Sequence, residues 1–225
     1  MTQLATKLGL SPELQFYDVY SLDDQELLSY IPRPALALLV TIPRTPAWQR
    51  DYEAEDAGKG DYAGFGPTEP VIWFKQTIGN ACGSIGLLHC TVNGPAADFI
   101  QPNSDLAEIR RRAIPLQMTE RAETLYNSKP FELAHKSMEE VGDTSATSAD
   151  TQESRHHFVA FVKAEGKLWE LEGGRKGPLE RGSLADDEDV LSPRALEMGL
   201  KRIIKLGGDE GGDVRFSCTA LARTS

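Results

Sequence analysis

Residues 76–90, QTIGNACGSIGLLHC, constrain the fold of this chain more than any other stretch. They predict an apolar helix that begins at Asn80, a residue type that favours helix N-caps, and continues to about Val92. The helix contains Gly83 and Gly86, although each glycine in a helix costs about 1 kcal/mol relative to alanine. A helix that accepts this cost needs close backbone approach there, either to a neighbouring element or to a substrate.

Cys82 lies in the first turn of this predicted helix. A thiol there faces unpaired backbone N–H groups and the positive end of the helix dipole, and both favour the nucleophilic thiolate. The same N–H groups, with the side-chain amide of Gln76 nearby, could donate hydrogen bonds to an oxyanion that forms on an attacked carbonyl. The alternative is a buried structural cysteine in a core helix, which is the commoner environment of a free cysteine.

A predicted β-hairpin late in the chain is the second chemical feature. The strand-like runs HHFVAFVK and KLWELE are joined by a turn signal that contains Glu165 and Gly166. If these two residues form the loop, Lys163 pairs with Leu168. The loop length matters because successive side chains on a strand point to opposite faces.

The hairpin register decides which acidic residue shares a sheet face with a histidine. With a two-residue loop, Val159 lies opposite Glu172, and His157 is diagonal to Glu172 at about 7–8 Å between Cα atoms. An odd loop would reverse the parity and place Glu170 on the face of His157. His157 and Glu172 are therefore a candidate base and its orienting carboxylate. The alternative is a hairpin with one exposed histidine and one exposed glutamate.

Several segments resemble the ubiquitin C-terminal hydrolases, a family of cysteine peptidases with a papain-like arrangement of active-site groups. They are residues 76–90, LGLSPELQFYDVYSLDDQELLSYIPRP near the start, HHFVAFVKAEGKLWELEGGRKGP and VRFSCTAL. They agree in order and spacing, so the resemblance covers almost the whole chain. It implies one α+β domain over residues 1–225, with a central, mainly antiparallel sheet flanked by helices.

The resemblance implies a role for each candidate residue. Cys82 would be the nucleophile, Gln76 the side chain of the oxyanion hole, and His157 the general base and acid. Glu172 would orient the imidazole by accepting a hydrogen bond from its Nδ1–H group. The family acid is normally aspartate in a Leu-Asp-Gly-Arg type of sequence, whereas this chain has LEGGR. Because other triads use glutamate, we expect activity to be retained, at a full or reduced rate.

The implied activity is cleavage of small adducts or short extensions from the C-terminal glycine of ubiquitin through a thioester. Two alternatives stay open. One is a ubiquitin-binding protein with weak or no turnover, and the other is a hydrolase of another ubiquitin-like modifier.

One segment of the chain differs in composition from a compact core. Residues 142–154 have almost no apolar side chain to bury and predict a mobile loop. A plain disordered connector fits this composition, and so does the loop that crosses the active-site cleft in the resembled family.

Members of that family begin with an extra short segment before the equivalent of Gln3, and we expect the present chain to lack this segment.

Composition excludes several other classes of function. The net charge of −10 argues against nucleic acid or anionic membrane as a partner and suits a basic one. No apolar run approaches the ~20 residues that span a bilayer. Three cysteines at unrelated spacings give neither a disulfide framework nor a metal-ligand pattern. We therefore expect no metal or cofactor, a monomer, and a reducing cytoplasmic or nuclear compartment.

The remaining pattern gives local expectations. Residues 35–42 form an apolar run that predicts a central strand, and residues 71–75 predict another strand. Residues 44–70 are predicted to be an irregular surface excursion with a solvated acidic run. His89 lies near the helix C-terminus, where a cation is favoured, but about 10 Å from the first turn and too far to serve Cys82. The other two cysteines, Cys90 and Cys218, are predicted to lie in the core.

Overall fold

The computed structural model describes residues 1–141, 156–208 and 216–224, and these form a six-stranded antiparallel sheet with helices. The expected loop at residues 142–154 lies outside the described residues. The strands are β1 (Leu14–Asp18), β2 (Ala37–Pro43), β3 (His156–Ala164), β4 (Lys167–Leu171), β5 (Leu179–Ser183) and β6 (Ser217–Arg223). Their order across the sheet is β1-β6-β2-β3-β4-β5, and every neighbouring pair is antiparallel. The predicted sheet type is confirmed.

Helices cover both faces of this sheet. They are α1 (Thr2–Leu8), α2 (Gln25–Ser29), α3 (Pro46–Asp56), α4 (Cys82–Val92), α5 (Asp105–Ala113), α6 (Met118–Tyr126), α7 (Lys129–Val141), α8 (Pro193–Met198) and α9 (Leu200–Gly208), with a 3₁₀ helix at Gly94–Phe99. Helices α1 and α4–α7 contribute to the apolar cluster on one face, and α2, α3, α8 and α9 contribute to the cluster on the other. The α+β class is confirmed.

Strand β2 lies inside the sheet, between β6 and β3. Its side chains alternate between the two apolar clusters, with Leu39 in one and with Leu38 and Val40 in the other. A strand that is buried on both faces has no polar side, and it therefore reads as a continuous apolar run. The prediction of a central strand at residues 35–42 is confirmed.

Helix α4 packs directly on the sheet. All of its residues after Cys82 are buried. A methyl group added at Gly86 would lie 2.7 Å from Leu39 Cδ1 and 3.5 Å from Phe158 Cβ. The predicted close approach to a neighbouring element is thus confirmed at Gly86. The predicted N-cap is wrong, because Asn80 has a left-handed φ of 58° and the cap is Ala81.

Residues 71–75 lie outside the helices and strands, so the strand that we predicted there is wrong. Side chains from α4 and the residue after it take the place of a strand partner. Asn93 Oδ1 accepts from the Ile72 N–H at 2.7 Å, and Asn93 Nδ2 donates to the Ile72 carbonyl at 2.9 Å. His89 Nε2 accepts from the Phe74 N–H at 3.0 Å. Burial lowers the pKa of His89 to about 3, so the expected cation at this helix end is also wrong.

Residues 44–70 contain a helix, α3, within the stretch that we predicted to be irregular. Thr45 caps it by accepting a hydrogen bond from Trp48 N at 3.1 Å, and a proline occupies the first turn, where proline is tolerated. The predicted solvated acidic run is wrong at Glu55, whose carboxylate lies 2.9 Å from Arg175 Nη2 and also pairs with Arg181.

The cysteines and the helix lengths complete this description. Cys90 and Cys218 are buried, as predicted, whereas Cys82 is partly exposed, and all three are free thiols. None of the described helices combines the length and the apolarity needed to cross a membrane. Within the same residues, no group of three or more potential metal-binding His, Cys, Asp or Glu side chains occurs.

Candidate active site

Cys82 is the first residue of α4, at the end of the helix that meets the sheet beside β3. Burial raises the pKa of its thiol above the ordinary value of 9.0. Hydrogen bonds from the backbone N–H groups of Gly83, Phe158 and Cys82 itself act in the opposite direction, as does the charge of Arg44. The predicted effect of the helix start is therefore present, but burial outweighs it and the pKa of the thiol is raised on balance.

The thiol and the imidazole lie in the same part of the molecule. Phe158, whose N–H group faces the Cys82 thiol, directly follows His157 on β3. No hydrogen bond joins Cys82 Sγ to the His157 ring in the part of the chain that the structure describes. The two groups are thus neighbours that are not yet in hydrogen-bond contact.

The hairpin that carries the acid has the predicted register. Lys163 pairs with Leu168, so the loop consists of Glu165 and Gly166. Both loop residues have positive φ, 50° and 69°, as a type I′ turn requires. The predicted two-residue loop is confirmed.

This register brings His157 and Glu172 into contact. His157 Nε2 hydrogen-bonds to Glu172 Oε1, and the two residues are only 2% and 1% exposed. We expected Nδ1 to be the nitrogen that faces the carboxylate, and that expectation is wrong. Nδ1 instead lies 3.1 Å from Nη2 of Arg44. Because a guanidinium only donates, Nδ1 must accept, and the ring is the neutral tautomer with its proton on Nε2.

Glu172 is held as a carboxylate by its surroundings. Burial would raise its pKa, but the hydrogen bond of His157, the Gly174 N–H group and the charge of Arg175 lower it below 4.5. The Gly174 N–H donates to Oε1 at 2.7 Å, and the Trp73 indole donates to the Glu172 carbonyl at 3.1 Å. The glycine-rich turn after Glu172 therefore supplies part of the support for its charge.

Loop parity does not by itself distinguish Glu172 from Glu170, contrary to our expectation. Residues two apart on a strand share a face, so both glutamates lie on the side of His157. What separates them is their partners: Glu170 accepts from Arg181 Nε at 2.7 Å and lies 3.4 Å from Arg175 Nη2. Glu170 is thus occupied by two arginines and is not free to orient the imidazole.

Gln76 connects the loop before Cys82 with the turn after Glu172. Its backbone N–H donates to the Gly173 carbonyl at 2.8 Å, and its side-chain Nε2 lies 3.4 Å from the Ile78 carbonyl. The side-chain Oε1 is buried and accepts no hydrogen bond from any described residue. A methyl group at Gly173 would lie only 2.9 Å from Gln76 Cβ, so this contact depends on the glycine.

Sequence reasoning missed two side chains that touch these groups, Arg44 and Tyr52. The Tyr52 hydroxyl lies against the Glu172 carboxylate, and its pKa is raised by burial and by the charge of Glu172. Tyr52 lies in α3, which we did not predict. Arg44 belongs to no recognisable sequence motif. The one local signal is the helix-capping pair that follows it, Thr45-Pro46, which indicates that a helix begins there and fixes its position.

Comparisons with known proteins agree with this geometry. The sequence profile of "Ubiquitin carboxyl-terminal hydrolase, family 1" matches residues 1–205. Ubiquitin carboxyl-terminal hydrolase 3 of Arabidopsis thaliana is 33% identical over 99% of this chain and 90% of its own length. Mouse ubiquitin carboxyl-terminal hydrolase isozyme L1 is 30% identical over 100% of this chain and 95% of its own length.

A solved structure shows the same fold. The Trichinella spiralis UCH37 catalytic domain, crystallised with ubiquitin vinyl methyl ester, superposes with a TM-score of 0.74 at 22% identity, covering 100% of this chain and 91% of that one. The fold, the profile match and the curated relatives lead to one conclusion: the chain belongs to the ubiquitin carboxyl-terminal hydrolase family.

Proposed function

We propose that this protein is a cysteine hydrolase that releases small adducts or short extensions from the C-terminal glycine of ubiquitin. The observation that carries the proposal is the buried His157–Glu172 pair beside the Cys82 thiol, in a chain of this family. This combination supplies a nucleophile, a base and an orienting carboxylate, which acyl transfer through a thioester requires.

In the proposed mechanism Cys82 passes its proton to His157 Nδ1, and the thiolate attacks the carbonyl carbon of the terminal glycine. Glu172 keeps the Nε2–H bond and stabilises the imidazolium that forms. The backbone N–H of Cys82 and the side-chain amide of Gln76 donate to the oxyanion. The imidazolium then protonates the leaving group, and water, activated by the same imidazole, hydrolyses the thioester.

Several observations support ubiquitin as the substrate. The relatives carry the name of ubiquitin hydrolases, and two similar structures are bound to ubiquitin vinyl methyl ester. The net charge of −10 suits a basic peptide tail. Family membership favours turnover over simple binding. As further parts of the proposal, the protein acts as a monomer, resides in the cytoplasm or nucleus, and accepts ubiquitin ahead of other ubiquitin-like modifiers.

A reactive ubiquitin probe tests the proposal. Ubiquitin that ends in a vinyl methyl ester should add covalently to the protein, and mass mapping should find the adduct on Cys82. Cys82→Ala should abolish labelling, whereas Cys90→Ala, at a buried cysteine of the same helix, should preserve it. Binding of the probe without a covalent adduct would identify a binding protein. Faster labelling by a probe built on another ubiquitin-like modifier would show that this modifier, and not ubiquitin, is the preferred substrate.

A further inference from the structure

Arg44 acts on both groups that must exchange a proton. It follows β2 directly, its side chain is exposed, and its Nη2 is 3.1 Å from His157 Nδ1. Its charge also acts on the Cys82 thiol, where it favours the thiolate. One cation therefore contacts the base and influences the nucleophile.

The contact occupies the ring nitrogen that the reaction needs. His157 Nε2 is bound to Glu172, so Nδ1 is the remaining site for the thiol proton. A guanidinium has five N–H donors and no acceptor. Arg44 therefore donates a hydrogen bond to the Nδ1 lone pair and cannot itself accept the thiol proton. While Arg44 donates to Nδ1, Cys82 cannot transfer its proton there.

We propose that Arg44 holds the free protein in a resting state by occupying His157 Nδ1, and that substrate binding releases it. The inference rests on the proposed function, since it concerns the same proton transfer. On release, the Cys82 S–H bond breaks and an Nδ1–H bond forms, which leaves a thiolate and an imidazolium whose Nε2–H stays bonded to Glu172. No other reactant is required.

The surroundings of Arg44 allow this exchange at low cost. No carboxylate pairs with Arg44 among the described residues, and its exposed side chain can rotate into solvent. Its backbone is fixed on both sides, by β2 and by Thr45, which caps α3 and donates its N–H to the Pro43 carbonyl at 3.1 Å. An extended peptide that enters beside Cys82 brings backbone carbonyl groups, which can accept from the released guanidinium.

Alkylation of Cys82 by iodoacetamide in the full chain without ubiquitin tests the proposal. The thiolate displaces iodide, so the rate of adduct formation at Cys82, followed by peptide mass mapping, reports the thiolate population. Arg44→Met removes the donor and keeps an apolar stem. We expect the rate to rise about two- to tenfold, the range that one net hydrogen bond controls.

A double mutant separates release of the base from loss of the positive charge. In a His157→Gln background, Arg44→Met removes only the charge that favours the thiolate, so we expect the rate to fall. Arg112→Gln, at an exposed arginine on α5, should leave the alkylation rate of Cys82 unchanged in both backgrounds. An unchanged or lower rate for Arg44→Met with His157 intact would overturn the proposal. Because ubiquitin is absent, a failure of ubiquitin hydrolysis would be a separate result that overturns the proposed function alone.

Discussion

Gln76 donates its backbone N–H to the carbonyl of Gly173, the residue that directly follows Glu172. One hydrogen bond of 2.8 Å therefore joins the loop that leads to Cys82 with the turn that follows Glu172. A shift of one loop therefore disturbs the other through this hydrogen bond and through the close approach of Gly173 to Gln76.

Gly173→Ala should disturb both loops. Its new methyl group would lie 2.9 Å from Gln76 Cβ and 3.2 Å from Ile85 Cγ2, so the Gln76 backbone has to move. We expect a loss of about 1–3 kcal/mol in unfolding free energy, the usual cost of overpacking, together with a lower kcat for a fluorogenic ubiquitin adduct. Gly60→Ala, where a methyl group would contact nothing within 4 Å, is the matched control.

Glu172→Gln should lower kcat by about a hundred- to ten-thousand-fold, the range seen when a triad carboxylate becomes an amide. The amide loses the charge that stabilises the imidazolium, and its orientation no longer fixes the tautomer of His157. Steady-state hydrolysis of the ubiquitin adduct measures the effect. Glu180→Gln, at an exposed glutamate on β5 that pairs with Lys167, should leave the rate unchanged. A full rate for Glu172→Gln would remove this residue from the mechanism.

Tyr52→Phe should lower kcat about three- to tenfold and leave KM unchanged, since the hydroxyl lies against Glu172 and would act through that carboxylate. The ring keeps its tilted contact with Trp48, at 5.0 Å between centroids, and its cation–π contact with the guanidinium of Arg175. Melting temperatures should therefore stay close to that of the unmodified protein. A change in KM without a change in kcat would contradict a role through the carboxylate.

The stability of the protein should fall in acid partly because of Glu55. Burial would raise its pKa, but the hydrogen bond and charge of Arg181 and the charges of Arg202 and Arg175 lower it from 4.5 to about 2. A lowered pKa contributes stability above the unfolded value of 4.5, and this contribution is lost as the pH falls towards 2. Urea unfolding at stepped pH should show a shallower acid loss in Glu55→Gln. Glu13→Gln, at an exposed surface pair, should retain the full slope.

The sequence could predict the elements whose patterns are locally complete. The apolar run of β2, the small residues of α4 and the two-residue turn at Glu165 and Gly166 each determine their structure with little help from elsewhere. That turn places His157 on the same face as Glu170 and Glu172, but only the arginine partners of Glu170 distinguish the two glutamates. These features account for most of the sheet and for the side of it on which the candidate site lies.

Other features depend on side chains that are distant in the chain. Residues 71–75 look like a strand, but Asn93 and His89 satisfy their backbone groups, and no local pattern contains that information. The protonation of Cys82 depends on burial, which outweighs the helix-end effect that sequence position suggests. The contact of Arg44 with Nδ1 depends on a rotamer and on the angle at which α3 leaves β2.

Strand β6 follows all the other strands of the sheet in sequence, yet it pairs with β1 on one side and β2 on the other. During synthesis, β1 and β2 must therefore wait for residues 217–223 to leave the ribosome before they acquire their shared neighbour. A premature stop before Ser217 would expose two unpaired edges in the middle of the sheet, and such edges recruit other chains. A nonsense mutation shortly before the codon for Ser217 should accordingly yield aggregates rather than a shortened active enzyme.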